Sequence, residues 1–501
     1  MKIKKLFKQT FLYIIFFELV SLLGYNIPEV RQVGFFILAI IFFVLCIKDL
    51  RYGIWIILIE LIIGSKGYLF YFDYEGIVVS IRIAFWLIIM SVWAAKFIYG
   101  SMGAWEYRAK FLDKLKSYFS SRHYLVILWI FFAFLLVSFI NGVANNSFSN
   151  VFFDFNNWLY FALVFPILTT IKTKEDFEVL KKLAIIAISW LCIKTFILLF
   201  FFSHNIPGTI EMLYRWVRNT GVGEITLVQD GFYRIFFQSH IFALLAYFMI
   251  LFRLTDRLAK GISIKSLSTF ALLLSILFSI ILISLSRSFW AGLMVGLFIY
   301  FIYTLRKYKL KHTVKMLGVF ILSGVLGIMI IALIVKFPYP DPLGDFSTTG
   351  LLRDRASQIT GEAAVSSRWN LLPELWTEIG QAPALGQGFG STVTYVSEDP
   401  RVLEANSGGE YTTYAFEWGW LDILMKLGVF GLIVYIILLL QLLRGLARFN
   451  TEGIALALGL IVLCAVHFFT PYLNHPLGIG YILFVLVFLN CYVTCYVTKV
   501  K

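Results

Sequence analysis

Charge is what this sequence has least of. Asp, Glu, Lys and Arg make up 14% of its 501 residues, hydrophobic residues make up 60%, and the mean hydropathy is +0.84. A soluble domain is about a quarter charged. A chain this apolar cannot cover itself with polar surface, so lipid is its solvent and soluble domains are not counted by length. The five cysteines, Cys46, Cys192, Cys464, Cys491 and Cys495, all lie in apolar runs and form neither a disulfide framework nor a CxxC pattern. Histidines are few, and His240, His467 and His475 do not pair at metal-ligand spacing, so no metal and no cofactor is expected. His240 and His467 read as packed core residues and His475 as exposed. A Walker loop, a dinucleotide fingerprint and a Ser/His/Asp nucleophile pattern are all missing. Any group transfer must therefore draw its energy from a substrate that carries its own leaving group.

What the chain does have is long apolar runs. A spanning helix needs about 20 mostly apolar residues. Such runs fall near 10–26, 33–48, 54–72, 78–98, 124–142, 156–172, 182–203, 234–253, 267–286, 288–305, 315–336, 418–444, 453–471 and 476–497. They predict an all-α, polytopic transmembrane bundle of about 12–14 helices, with the basic stretch Met1 to Lys8 leading a retained first helix. Charge supports the count. Lys48, Arg51, Arg108, Lys110, Lys114, Lys116, Arg122, Lys172, Lys174, Lys181, Lys182, Arg253, Arg257, Lys260, Lys265, Arg306, Lys307, Lys309, Lys311, Lys315, Arg444, Arg448 and both termini fall on one side of such a bundle. By the positive-inside rule that side is cytoplasmic. The net charge of +14 is thereby explained without nucleic acid, for which no reading motif stands out. The predicted organisation is helices over 1–335 with an outer loop near 204–233, a partly helical extracytoplasmic cap over 336–417, and three further helices over 418–501. In the cap, Ser366 or Ser367 is expected to start a helix running from Arg368 to Ile379, followed by a turn at Gly386, Gly388 and Gly390.

The outer side nearly lacks lysine but holds Arg215, Arg218, Arg234, Arg287, Arg353, Arg355, Arg368 and Arg401. An arginine within a bilayer costs about 2.5–3.5 kcal/mol at the centre and less near the edge. The planar guanidinium binds phosphate oxygens in pairs and keeps its charge. Arg234 stands where a helix is expected to open at the outer boundary, Arg287 where one begins or ends, and Arg368 stands in the cap. Glu417 marks the boundary of the cap with the next helix, where partial desolvation would suit a general base. Asp73 and Glu75 read as a solvated outer pair, and the glycine turn as a tight turn. Charges within the spans are mainly Glu60, Arg82, Lys96 and Lys194. The competing class is a flippase or other transporter of lipid-linked oligosaccharides; the two similar halves common in transporters are not found.

Three segments resemble the superfamily of bacterial O-antigen ligases and O-antigen polymerases: Ser286-Arg287-Ser288-Phe289-Trp290-Ala291-Gly292-Leu293; Arg368-Trp369 through Pro383-Ala384-Leu385-Gly386-Gln387-Gly388-Phe389-Gly390; and Leu421 to Leu432 with Leu427-Gly428-Val429-Phe430-Gly431-Leu432. The resemblance implies an extracytoplasmic glycosyltransferase of the bacterial inner membrane. It would join an oligosaccharide from undecaprenyl pyrophosphate to a sugar hydroxyl without metal. Its partners would be the lipid-linked donor, a glycan acceptor, membrane lipid, and a chain-length regulator or a flippase. It puts pyrophosphate binding on Arg287 and Arg368, and more loosely on Arg234. Ligases of this kind carry a histidine before the leucine-glycine helix. That position here is Glu417, which leans the reading toward a polymerase with Glu417 as base and Tyr411, Tyr414 and Trp420 positioning substrate.

Overall fold

The computed structural model describes residues 3–75, 77–102, 123–204, 206, 208–228, 231–261, 264–343, 363–449 and 451–497. Arg353, Arg355 and the basic run from Arg108 to Arg122 lie outside them.

The chain is an all-α, multi-pass membrane protein. Among the described residues nine helices are long and apolar enough to cross a bilayer, and a tenth crossing arises if Phe148–Asn156 and Trp158–Thr170, bent by 42°, act together. Four further apolar helices fill the remaining expected positions, three of them shorter or more charged. Leu50–Gly64 has 15 residues and Thr451–His467 has 17. Pro476–Val497 has 22 residues, and Ile241–Ala259 carries Arg253, Asp256 and Arg257 in its last two turns. Every apolar run in the sequence thus becomes helix, while not every one has the length of a full crossing. Many large apolar side chains point outward, among them Phe16, Ile40, Ile140, Phe298 and Leu333. A helix apolar on all sides needs a lipid face as well as a packed one.

Charges inside the bundle are paired, as a medium without water requires. Arg82 grips Glu60 with two hydrogen bonds, at 2.7 and 3.1 Å. Lys194 reaches Glu18 at 2.6 Å, and Lys96 caps the carbonyls of Cys46 and Ile47. The expected set of buried charges was incomplete: Glu18, Asp154, Asp422 and Lys426 belong to it as well.

Three antiparallel hairpins interrupt the helices: β1 (Tyr71–Tyr74) with β2 (Ile77–Ser80), β3 (Gly223–Leu227) with β4 (Tyr233–Phe237), and β5 (Val393–Val396) with β6 (Glu410–Thr413). Asp73 lies in β1, and Glu75 takes the positive φ of 50° in the turn after it. The segment between the helices Leu310–Val335 and Gly419–Ala447 contains the helix Ala363–Gln381 and the β5–β6 hairpin. These two pack together over a small core of their own, formed by Leu371, Leu375, Ile379, Val393, Phe416 and Met425. The helix opens before Ser366 and Ser367, so neither caps it. Ser367 instead binds the Ser397 hydroxyl and accepts the Glu398 amide, tying helix to hairpin.

The long helix Gly419–Ala447 is broken at Gly428, where φ is +68°. A broken helix in lipid leaves backbone groups that other protein groups must satisfy. The turn Pro383 to Gly390 does so from both sides. Val429 and Phe430 donate to the carbonyls of Pro383 and Ala384, while Gln387 and Gly388 donate to those of Met425 and Lys426. A Cβ on Gly428 would lie 2.3 Å from the Ala384 oxygen, and one on Gly386 2.5 Å from the Lys426 carbonyl. The two glycine motifs are therefore halves of one joint.

Candidate functional site

The three predicted arginines sit on different elements: Arg234 in a hairpin, Arg287 and Arg368 in helices. Arg234 does not open a helix; it lies in β4, where alternation puts Arg234 and Phe236 on one face and the buried Ile235 and Phe237 on the other. Its Nε donates to the Ser284 carbonyl at 2.7 Å, and its guanidinium lies over the Phe236 ring. Ser284 belongs to the break between the helices Ile264–Ile283 and Arg287–Lys307, where Leu285 holds a left-handed φ of 44°. Arg287 is the first residue of the second of these, so it begins a helix rather than ending one. Arg234 and Arg287 thus meet at one turn and are both partly buried.

The loop Phe468 to His475 connects this turn to the cap. Thr470 donates to the Ser288 hydroxyl at 3.0 Å, the Tyr472 ring packs on Phe289, and the Tyr472 hydroxyl donates to the Gln238 carbonyl at 2.9 Å. On its other flank Phe469 packs against Trp418. The Trp418 indole donates to the Arg368 carbonyl at 3.0 Å and stacks edge-on with Trp369, and Arg368 forms an ion pair with Glu417. The loop therefore runs from Gln238, Ser288 and Phe289, neighbours of Arg234 and Arg287, to Trp418, neighbour of Glu417. Its anchor is Asn474, which donates to the buried Asp422.

Glu417 is about half exposed and held by Arg368, in place of the partly desolvated carboxylate expected of it. Tyr414 is half-buried. Burial pushes its phenol above the usual range, with Asp154 adding to the effect and Lys426 opposing it. Tyr411 is exposed in β6, edge-on to Tyr395. Trp420 turns away from the cap: its indole donates to the Cys464 carbonyl and packs on His467. His240 and His467 are fully buried, as expected of core residues. His475 is half-buried rather than exposed. Its Nδ1 accepts the Leu477 amide, and burial, with the positive charges of Arg82 and Lys66, holds its imidazole down to about 3. Among the described residues no group of three or more His, Cys, Asp or Glu is placed to hold a metal.

Sequence reasoning missed the network beneath the site. Lys426, 1% exposed, donates to Asp154 at 2.8 Å and to Asp422 at 2.6 Å. Asp154 also accepts the Gly390 amide, and Asp422 accepts Asn474. One ammonium thus ties together the helix Phe148–Asn156, the glycine turn, the broken helix and the bridging loop. Its i,i+4 spacing to Asp422 was visible in the sequence; Asp154, 272 residues away, was not.

Residues 270–436 match a family model described as O-Antigen ligase, and over that stretch the likeness to O-antigen ligases and polymerases holds. The match includes Arg287, Arg368, Glu417, Lys426 and Gly428, and stops short of Arg234 and the bridging loop. No curated protein and no solved structure matches the chain.

Proposed function

We propose that the chain is a glycosyltransferase of the polymerase or ligase kind. It would transfer an oligosaccharide from undecaprenyl pyrophosphate to a sugar hydroxyl on the outer face of the bacterial inner membrane, with both termini in the cytoplasm. The observation that carries this reading is that one loop, Phe468 to His475, touches Gln238, Ser288 and Phe289 beside Arg234 and Arg287 at one end and Trp418 beside the Arg368–Glu417 pair at the other, with Arg287, Arg368 and Glu417 inside the stretch that matches the ligase model.

In this mechanism the acceptor oxygen attacks the anomeric carbon of the donor. The bond from that carbon to the pyrophosphate oxygen breaks, and the electron pair leaves with the polyprenyl pyrophosphate. The arginines stabilise the charge that accumulates there; preorganised positive charge is worth most where water is scarce. Glu417 takes the acceptor proton. Arg368 binds pyrophosphate only by giving up part of its hold on Glu417, so donor binding would free the carboxylate at the moment a base is needed. Tyr411 and Tyr414, on the cap side of the site, position the glycan.

The test is transfer by purified protein given a lipid-linked oligosaccharide and no nucleotide. New glycosidic bonds made by the wild type and lost in Glu417→Gln support the assignment. Movement of the lipid between leaflets with no new bond from any donor would show transport instead.

A further inference from the structure

A pocket of about 230 Å³ lies beside the arginine turn, on the β3–β4 hairpin, lined by Lys66, Arg218, Glu224, Phe236 and Gln238 among others. Pockets for drug-sized ligands span roughly 300–1,000 Å³, so this one has room for a single ring-sized group. Its walls are built. Ser65 and Gly67, both with positive φ, form the turn that carries Lys66, and the stem of Lys66 lies along Gly221, where a Cβ would come within 3.0–3.4 Å of its Cβ, Cγ and Cδ. Glu224 is the cross-strand partner of Phe236 and shares its face. The side-chain oxygen of Gln238 is buried and has no hydrogen-bond partner among the described residues. A turn of the Gln238 side chain toward the cavity would let a ligand hydroxyl supply the donor this acceptor lacks.

The chemistry of the lining selects among ligands. Two cations against one carboxylate give a net positive wall, which suits an anion. Glu224 within that wall opposes a multiply charged pyrophosphate, and the proposed pyrophosphate arginines lie on the neighbouring turn. Glu224 and the orphaned Gln238 oxygen are both hydroxyl acceptors, and the Phe236 ring offers an apolar face to C–H groups. Building on the glycosyl-transfer reading, we infer that this pocket is a specificity subsite for one acidic sugar unit of the glycan, its carboxylate held by Lys66 and Arg218 and its hydroxyls by Glu224 and Gln238.

The test is amine footprinting of Lys66 on the full-length protein in lipid nanodiscs, read by mass spectrometry. A glucuronate-containing disaccharide, its neutral glucose counterpart and inorganic pyrophosphate serve as probes. The acidic disaccharide is expected to slow labelling of Lys66 at least threefold, the neutral one and pyrophosphate far less, and Arg218→Gln to remove the difference; both cations are exposed, so folding should survive the change. Equal protection by the acidic and neutral sugars, stronger protection by pyrophosphate, or none at all would overturn the assignment. Transfer activity without protection of Lys66 would remove the subsite and leave the transfer reading standing. Selective protection without transfer from any donor would do the reverse.

Discussion

Arg287 is the side chain whose loss is expected to cost most. A hydrogen bond to a charged group is worth about 1.5–3 kcal/mol, so Arg287→Ala should slow single-turnover transfer by at least roughly tenfold. Arg287→Lys should recover only part of this, because an ammonium lacks the two-pronged geometry. Equal rates for wild type and the Lys variant would remove the bidentate role. His475 makes a different prediction, about stability. Folded, it resists protonation down to about 3 against an ordinary value of 6.5. Below about 6.5 the unfolded chain takes up a proton that the folded chain refuses. Its contribution therefore erodes stability as pH falls from about 6.5 toward 3 and is neutral above that window. His475→Asn should flatten the fall of Tm between pH 6.5 and 4; an unchanged pH slope would mean another group controls it.

The joint between the glycine turn and the broken helix is what holds the site's parts in register. Gly428→Ala would force a Cβ against the Ala384 carbonyl at a backbone angle that only glycine adopts easily. Lys426→Met would leave Asp154 and Asp422 buried beside each other without their cation. Removing one partner of a buried ion pair costs about 3–5 kcal/mol, so the Lys426→Met protein should lose cooperative unfolding near the wild-type Tm. Adding Asp154→Asn and Asp422→Asn should restore part of it. A triple variant no more stable than the single one would show that charge is not what the network contributes. This joint was half legible in the sequence. The Gly386–Gly390 and Leu427–Gly428 motifs stood out separately, but nothing local said that each satisfies the other's backbone. The β3–β4 hairpin was missed for a related reason. Tyr233 to Phe237 is apolar enough to read as the first turn of the helix that follows, and only pairing with Gly223–Leu227 reveals the alternation.

Across the described residues, hydropathy alone located the long apolar helices, because a span must be apolar along its whole length and needs no partner to be recognised. Leu50–Gly64 is shorter than a full crossing and is covered by its neighbours. The link from the Ser288–Phe289 end of one helix to Trp418 could not be read from spacing, because it runs through the loop Phe468 to His475, far along the chain from both. The orientation assigned to the bundle predicts that a cysteine introduced at exposed Thr412 in β6 reacts with a membrane-impermeant thiol reagent in intact cells, while one at exposed Lys311 reacts only after permeabilisation. The native cysteines Cys46, Cys192 and Cys491 are buried and should stay silent. The reverse pattern would invert the topology and place the arginines on the cytoplasmic side.

The most direct test is product length. Purified wild-type protein and Arg287→Ala would be incubated with a lipid-linked oligosaccharide and no nucleotide, and the products resolved by size. A ladder of extended glycans from the wild type, at least tenfold weaker in the variant, is the expected result and marks a polymerase that uses pyrophosphate as its leaving group. Identical ladders from both proteins would contradict the role of Arg287. No extended product from any donor, with lipid moving between leaflets, would contradict glycosyl transfer itself.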